Sequence, residues 1–386
     1  MAFSFGFSGD DIDIDDSEIN NDFSDVPSQQ AVGNSLPELV KAVKHDMNEW
    51  LSILPSQIFY NKLAISDTPL AVARREIFDI RTQLMAEDSA GHDNEELIAG
   101  IEKGDITPNF YEGGFKTWEC ALDLAKLSLN DDILNESSDS PTDIHIIEVR
   151  NHPSCGSFSQ DLPGARANTN EQLGAGTAVP SLTLFARLLN QAELGQSQRK
   201  TLFTFADYNS DVLRLVTLPN LLLTWHNSRS QTAVSVASTA PDQDEELDIT
   251  PELVQEFKDD LARRGISVDF VSGAWSPEFV DLVFSSGDSA RKTLVLASET
   301  IYSPASLAAF SETLLALLRR SNTVSAKTRA LVAAKKVYFG VGGGVDEFLA
   351  VLGNVCANEL DVQQKLNVQS EGVGRVVLEV VPSSGP

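Results

Sequence analysis

The stretch Leu173-Gly174-Ala175-Gly176-Thr177 constrains this chain more than any other. A Gly-x-Gly turn of this kind ends a buried β-strand and opens a helix. Its glycines let the backbone pass close to a nucleotide-like ligand, and the helix N-terminus faces the ligand's polar groups. The helix follows as expected, because Pro180 to Leu189 reads Pro-Ser-Leu-Thr-Leu-Phe-Ala-Arg-Leu-Leu. The approach strand is missing: Pro163 to Gln172 reads Pro-Gly-Ala-Arg-Ala-Asn-Thr-Asn-Glu-Gln, which makes no strand core. The strand-like run nearest the turn is Ile144-His145-Ile146-Ile147-Glu148. Removing Val149 to Gln172 would join Glu148 to Leu173 and give a buried parallel strand, an acid and a glycine turn in that order. Val149-Arg150 can be encoded by GTAAGA, a splice-donor sequence, Gln172 by CAG, a splice acceptor, and Ala167-Asn168 by GCTAAC, which resembles a branch site. The segment therefore reads as a non-native insertion, a translated intron; the alternative is a genuine surface insertion.

A chain of 386 residues with 42% hydrophobic residues can bury a sizeable core in one large domain or two ordinary ones. No apolar run reaches the roughly 18 residues of a membrane helix, and no basic segment followed by an apolar one opens the chain. Cys120, Cys155 and Cys356 show neither metal spacing nor a disulfide framework, which fits a reducing compartment. His45, His92, His145, His152 and His226 are scattered, so no metal site is expected. The net charge of −27 disfavours direct binding to nucleic-acid phosphates and is compatible with a basic protein partner. It also fits an acidic surface that aids solubility.

Residues 1–36 read as a disordered acidic tail, since Asp10, Asp11, Asp13, Asp15, Asp16, Glu18, Asp22 and Asp25 precede the first basic residue, Lys41. Within it Phe3, Phe5 and Phe7 alternate, either as a docking motif or as part of an unstructured terminus. Residues 37–110 read as a helical extension, with Leu39, Val40, Val43, Met47, Trp50 and Leu51 at helical spacing. The charges of Arg74-Arg75-Glu76-Ile77-Phe78-Asp79-Ile80-Arg81 suit a solvated helix face or a partner contact. Residues 111–386 alternate strands and helices, the pattern of an α/β domain. Strands are expected at 202–206, 266–271, 293–297, 336–341 and 376–381, and helices at 306–318 and 346–352. Residues 213–225 read as helical or mixed, and the polar stretch 228–248 as a loop.

Gly-Ala-Gly-Thr-Ala-Val lacks the third glycine of a dinucleotide fingerprint. Following the acid Glu148, Gly174 and Gly176 suit S-adenosylmethionine better, which has no pyrophosphate to cradle. Asp207, at the end of the next strand, can accept both ribose hydroxyls; it can equally serve as a helix cap or Asx turn. Trp118, in a Gly- and aromatic-rich block before a helix, can stack on a sulfonium or anchor the extension to the core. Ser272-Gly273-Ala274-Trp275 ends another strand, placed to contact adenine. Ser298-Glu299-Thr300-Ile301-Tyr302 ends a further one, where its polar groups face the reacting centre.

Phe-Ser-Phe-Gly-Phe near the start, Arg-Arg-Glu-Ile-Phe-Asp-Ile-Arg at 74–81, Tyr-Glu-Gly-Gly-Phe-Lys-Thr-Trp-Glu-Cys at 111–120, Ala-Asp-Tyr-Asn at 206–209, Ser-Glu-Thr-Ile-Tyr at 298–302 and Tyr-Phe-Gly-Val-Gly-Gly-Gly-Val at 338–345 resemble the protein-histidine methyltransferases of eukaryotes. The resemblance runs over nearly the whole chain. It implies a class I methyltransferase fold with a Rossmann-like seven-stranded sheet. It also implies methyl transfer from S-adenosylmethionine to a histidine of a large-subunit ribosomal protein, in cytoplasm and nucleus. A partner of that kind is basic, in keeping with the acidic chain. Two departures stand out: the 149–172 insert, and Ala274 where the family carries an acid, which puts an adenine hydrogen bond in question. The candidate cofactor-binding residues are Thr117, Trp118, Glu119, Cys120, Glu148, Gly174, Gly176, Asp207, Tyr208, Asn209, Gly273, Trp275 and Ser298. Glu299 and Tyr302, with Ser298 next, are the candidates for bonding the non-reacting imidazole nitrogen and fixing its tautomer. A monomer is expected. The competing readings are a non-catalytic methyltransferase-like binding protein, favoured by the insert, and a methyltransferase for another side chain such as lysine.

Overall fold

A computed structural model describes residues 40–68, 70–89, 98, 115, 117–134, 142–149, 176–191, 199–233, 245–286, 291–321, 328–339, 342–357, 359–369 and 372–383. The acidic tail, Gly174 and residues 150–172 of the proposed insert lie outside these.

Among the described residues, eleven strands form two sheets. In the larger sheet the order is β1 (Val43–His45), β7 (Ile266–Ser272), β5 (Thr201–Asp207), β4 (Ile144–Val149), β8 (Lys292–Ser298), β9 (Thr328–Lys335), β11 (Arg375–Pro382) and β10 (Leu360–Val368). The five central strands, β7 to β9 in that order, are parallel. β11 runs antiparallel between β9 and β10, and β1 adds an antiparallel edge beside β7. Without β1 this is a seven-stranded sheet whose order reverses between β4 and β8, and ligands collect at the carboxyl ends of strands beside such a reversal. The α/β reading with a Rossmann-like sheet therefore holds.

All six residues of β4 are buried, as a parallel strand covered on both faces requires. Ile144 and Ile146 enter one core layer with Phe203, Phe205 and Phe270; Ile147 and Val149 enter the opposite layer with Val295 and Ala297. His145 is buried among them, with Nε2 2.8 Å from Thr204 Oγ1, and burial pushes its pKa down to about 3, so it stays neutral. The helices are α1 (Met47–Ser52), α2 (Ile77–Ser89), α3 (Glu119–Leu129), α4 (Val179–Gln191), α5 (Ser210–Val212), α6 (Leu218–Ala233), α7 (Pro251–Arg263), α8 (Pro277–Val283), α9 (Leu307–Ser321) and α10 (Val345–Cys356). A π-helical segment, Leu213–Thr217, joins α5 to α6. No helix among the described residues is long and apolar enough to cross a membrane.

Among its described residues the extension at 37–110 mixes strands with α1 and α2 and is not the helical element its spacing suggested. Asp46 caps α1 by accepting a 2.8 Å bond from the Asn48 amide, so the chain before it is extended and pairs as β1 with β7. β2 (Gln57–Ala64) and β3 (Ala71–Arg75) follow, and with β6 (Glu245–Asp248) they form a second sheet in the order β3-β2-β6. Ile58 and Tyr60 are buried on alternate positions of β2, the period of a strand rather than a helix. The 228–248 loop reading fails at both ends, where α6 runs to Ala233 and β6 begins at Glu245. The strand expected at 336–341 lies earlier, at Thr328–Lys335. Its buried Ala330, Ala333 and Ala334 suit close packing on both faces but carry little strand propensity. The mostly exposed edge strand β10 offers no apolar run to read.

Candidate active site

Glu148, near the end of β4, is buried, and its Oε2 accepts a 3.0 Å bond from the Ser181 amide in the first turn of α4. The acid thus satisfies an N–H that no helical carbonyl can reach and sits at the positive end of the helix. Strand end and helix start meet here, although Val149 to Gln172 intervenes in sequence.

The described part of the glycine turn is fastened from three elements. Thr217 Oγ1, in the π-helical segment, donates to the Gly176 carbonyl at 3.1 Å. Asn220 Nδ2 donates to the Thr177 carbonyl at 3.2 Å. Thr177 Oγ1 shares a 2.8 Å hydrogen bond with Thr117 Oγ1, just before α3. Asn220 in turn accepts from the Arg75 amide at 2.7 Å, and the Arg75 guanidinium donates to the Leu215 carbonyl at 3.0 Å. Arg75 is only 1% exposed and paired with Asp79 at 2.6 Å, so it braces the π-helical segment from within and offers no surface to a partner. Mid-helix π turns often mark functional sites, and this one turns Thr217 toward the glycine turn.

Asp207 closes β5, and its Oδ1 accepts from the Asn209 amide at 3.0 Å. Asn209 then caps α5 through the Asp211 amide at 2.8 Å. One Asp207 oxygen thus serves the Asx turn anticipated as its alternative role. Tyr208 between them is half-buried. Gly273 has φ +114°, and a Cβ there would stand 2.6 Å from the Lys41 carbonyl oxygen and 2.7 Å from Ala42 Cα. Its glycine is what lets the chain at 41–42 cross so closely. The Ala274 amide donates to Val40 O at 2.9 Å. Trp275 packs on Phe310 with ring centroids 5.1 Å apart and lines a groove of about 510 Å³ with Val280 of α8 and Ala316 of α9. The expected adenine block is therefore engaged with the N-terminal segment and with α9.

At the end of β8, Glu299 has φ +55°, a left-handed conformation that costs a side-chain-bearing residue energy and recurs at functional sites. The residue is 3% exposed. Oε2 accepts a 2.5 Å bond from the Tyr338 hydroxyl, which itself accepts from the Lys335 amide at 3.1 Å. Oε1 is buried, with no hydrogen-bond partner among the described residues. Burial pushes the Glu299 carboxyl up, against the opposing pull of the nearby Cys120 thiol, the Tyr338 hydroxyl and the Lys335 ammonium. The Cys120 thiol and Tyr338 phenol are both pushed well up, chiefly by burial and by Glu299 itself, so each stays a neutral donor. Ser298 and Tyr302 flank Glu299 and are buried. Gly343 lies on this loop so closely that a Cβ would stand 2.5 Å from the Tyr302 carbonyl oxygen.

The start of α3 spans both groups: Thr117 touches the glycine turn and Cys120 faces Glu299. Trp118 stands between them, with Lys335 Nζ 6.0 Å from its ring. The Glu119 carboxylate lies 3.6 Å from Arg375 on β11. Sequence reasoning missed Tyr338, Thr177, Thr217 and Asn220. A signal exists for Tyr338 in the Tyr-Phe-Gly-Val-Gly-Gly-Gly-Val block, one of the motifs that carry the family resemblance.

No family model matches the chain. Solved structures align only distantly; the N-terminal domain of EvdMO1 with SAH and D-fucose covers 76% of this chain and 98% of its own at 11% identity and a TM-score of 0.31, which adds nothing to the strand order above. Curated relatives are much closer. Histidine protein methyltransferase 1 of Schizosaccharomyces pombe is 32% identical over 98% of this chain and 92% of its own length. Its namesake in Saccharomyces cerevisiae is 32% identical over 93% of this chain and 92% of its own. The Rattus norvegicus homolog is 28% identical over 72% of this chain and 58% of its own. Identity sustained over nearly the full length of two such relatives is decisive, and the chain belongs to the histidine protein methyltransferase 1 family.

Proposed function

We propose that this chain transfers a methyl group from S-adenosylmethionine to a histidine imidazole of a basic, large-subunit ribosomal protein. The observation that carries this reading is the buried Glu299 residue at the carboxyl end of β8, whose Oε1 has no hydrogen-bond partner among the described residues. An orphaned buried acceptor is costly unless a ligand supplies the donor, and an imidazole N–H is such a donor.

The donor set fits S-adenosylmethionine. Asp207 at the end of β5 is an acceptor for ribose hydroxyls, Gly176 and Thr177 lead into α4, whose first turn bonds Glu148, and the Trp118 ring, with Lys335 Nζ 6.0 Å from it, is an indole of the kind that engages cations. When bound, the cofactor supplies a methyl group on a sulfonium, already activated for displacement. The protein's work is then mainly alignment, which can lower a barrier by up to about 7–11 kcal/mol. Glu299 Oε1 accepts the N–H of the acceptor imidazole, fixes its tautomer and leaves the lone pair on the other nitrogen. After transfer the same oxygen receives that proton and passes it to water. Ser298 and Tyr302 complete the wall around the ring, and burial of all three keeps water out.

The −27 net charge supports a basic protein substrate. The cytoplasmic and nuclear setting is inferred from the family resemblance alone, and a monomer is proposed. Val149 to Gln172 is proposed to be intron-derived and foreign to the working site. The Glu148 to Ser181 bond is in keeping with this, since strand end and helix start meet across the segment, although Val149 itself completes β4 and is buried in the core. Mature transcripts that uniformly retain the segment would overturn that part.

Acceptor mapping tests the reaction. Purified chain, S-adenosylmethionine and ribosomal proteins are incubated and the products mapped by tandem mass spectrometry. One added methyl group on a histidine of a large-subunit protein is expected; methylation confined to lysine, or none despite tight S-adenosylhomocysteine binding, overturns the reading.

A further inference from the structure

Glu299 cannot act alone. A buried carboxyl free to rotate would bring either oxygen to the acceptor, and one that held its proton at working pH could not accept another. A chain of two hydrogen bonds ends at Oε2. The Tyr338 hydroxyl donates to it at 2.5 Å, and that hydroxyl is itself fixed by the Lys335 amide at 3.1 Å. Tyr338 is 1% exposed, immediately beyond β9, with its ring 6.2 Å from that of Tyr302. Val337 bridges back to Gly344, and Gly343 abuts the Tyr302 carbonyl, so the segment carrying Tyr338 is pinned to the segment carrying Glu299.

We propose that Tyr338 is a positioning residue: its hydroxyl engages Oε2 of Glu299 so that Oε1 is left for the acceptor, and it governs how readily that carboxyl takes the acceptor's proton. The proposal rests on histidine being the acceptor.

The groups that face Glu299 are Cys120 and Glu119 from α3, Lys335 from β9 and Tyr338 itself. Burial and Glu119 favour the neutral acid, while Cys120, Tyr338 and Lys335 favour the carboxylate. The proton balance is simple. The imidazole N–H proton passes to Oε1 as positive charge arrives on the ring, and then leaves to solvent, so Glu299 must begin each turnover ionised. Tyr338 touches neither substrate nor cofactor and acts through Oε2.

Tyr338→Phe removes the donor and keeps the ring. The carboxyl's pKa then rises, and the acid limb of kcat/KM against pH moves to higher pH by about one unit. Loss of activity is about tenfold on the acid side and shrinks as pH rises. Cys120→Ala moves the limb in the same direction and serves if Tyr338→Phe fails to fold, as judged by thermal unfolding. The carboxyl is read directly, without turnover, by ¹³C NMR titration of glutamate-labelled protein, with Glu299→Gln identifying the resonance. An upward shift of the Glu299 titration, with unchanged S-adenosylhomocysteine affinity, is expected for Tyr338→Phe. Coincident carboxyl titrations in wild type and variant, or a pH-independent loss of activity, overturn the proposal whatever the acceptor proves to be. Failure of the wild-type chain to methylate histidine overturns the reaction instead and leaves the carboxyl titration to judge Tyr338.

Discussion

The two halves of the site treat their polar groups in opposite ways. On the β4 side, Glu148 accepts from the Ser181 amide, and Gly176, Thr177, Thr217 and Asn220 are tied by hydrogen bonds reaching back to Arg75. On the β8 side, Glu299 sits in a left-handed backbone conformation with one carboxyl oxygen held by Tyr338 and the other without a hydrogen-bond partner among the described residues. The difference is what a transfer enzyme needs. A surface that binds the same cofactor every cycle gains from contacts made in advance, whereas a group that must meet an incoming substrate keeps an acceptor open for it.

The largest expected effect on the braced half comes from Arg75→Met. It leaves Asp79 buried without its cation and the Leu215 carbonyl without its donor. Denaturant unfolding should show a loss of about 3–5 kcal/mol. Near-neutral stability would mean that the brace is not a determinant of this half. Thr217→Val is gentler, since it deletes only the hydroxyl that donates to Gly176. S-adenosylhomocysteine binding by calorimetry should weaken by about 1 kcal/mol, roughly fivefold in Kd. An unchanged Kd would show that the turn keeps its shape without that bond.

How much of this was legible in the sequence depended on which force dominated locally. Ile144 to Glu148 announces itself because a strand buried on both faces must be apolar throughout, and the Gly-x-Gly beyond it confines the backbone whatever the tertiary context. Arg75 was legible only as a charge in a helical stretch; its burial depends on Leu215 and Asn220, which lie far along the chain. β2 and β3 were misread because Gln57–Ala64 carries polar residues on its outer positions and the Leu39–Leu51 apolar spacing matched a helix; the cap at Asp46 was the overlooked sign. Glu299 could be singled out from its place after a strand, but its orphaned Oε1 could not. That property belongs to the packing of Tyr338, Cys120 and Gly343 around it, each from a different part of the chain.

The central claim is that the open oxygen of Glu299 exists for the acceptor and not for the cofactor. Single-turnover methylation by wild type and Glu299→Gln, at saturating S-adenosylmethionine with S-adenosylhomocysteine affinity measured in parallel, tests it most directly. The amide keeps the shape but can no longer take the proton. The account predicts a rate lower by about 10²–10⁴-fold with cofactor affinity unchanged. An unchanged rate, or a loss explained entirely by weaker cofactor binding, would contradict it.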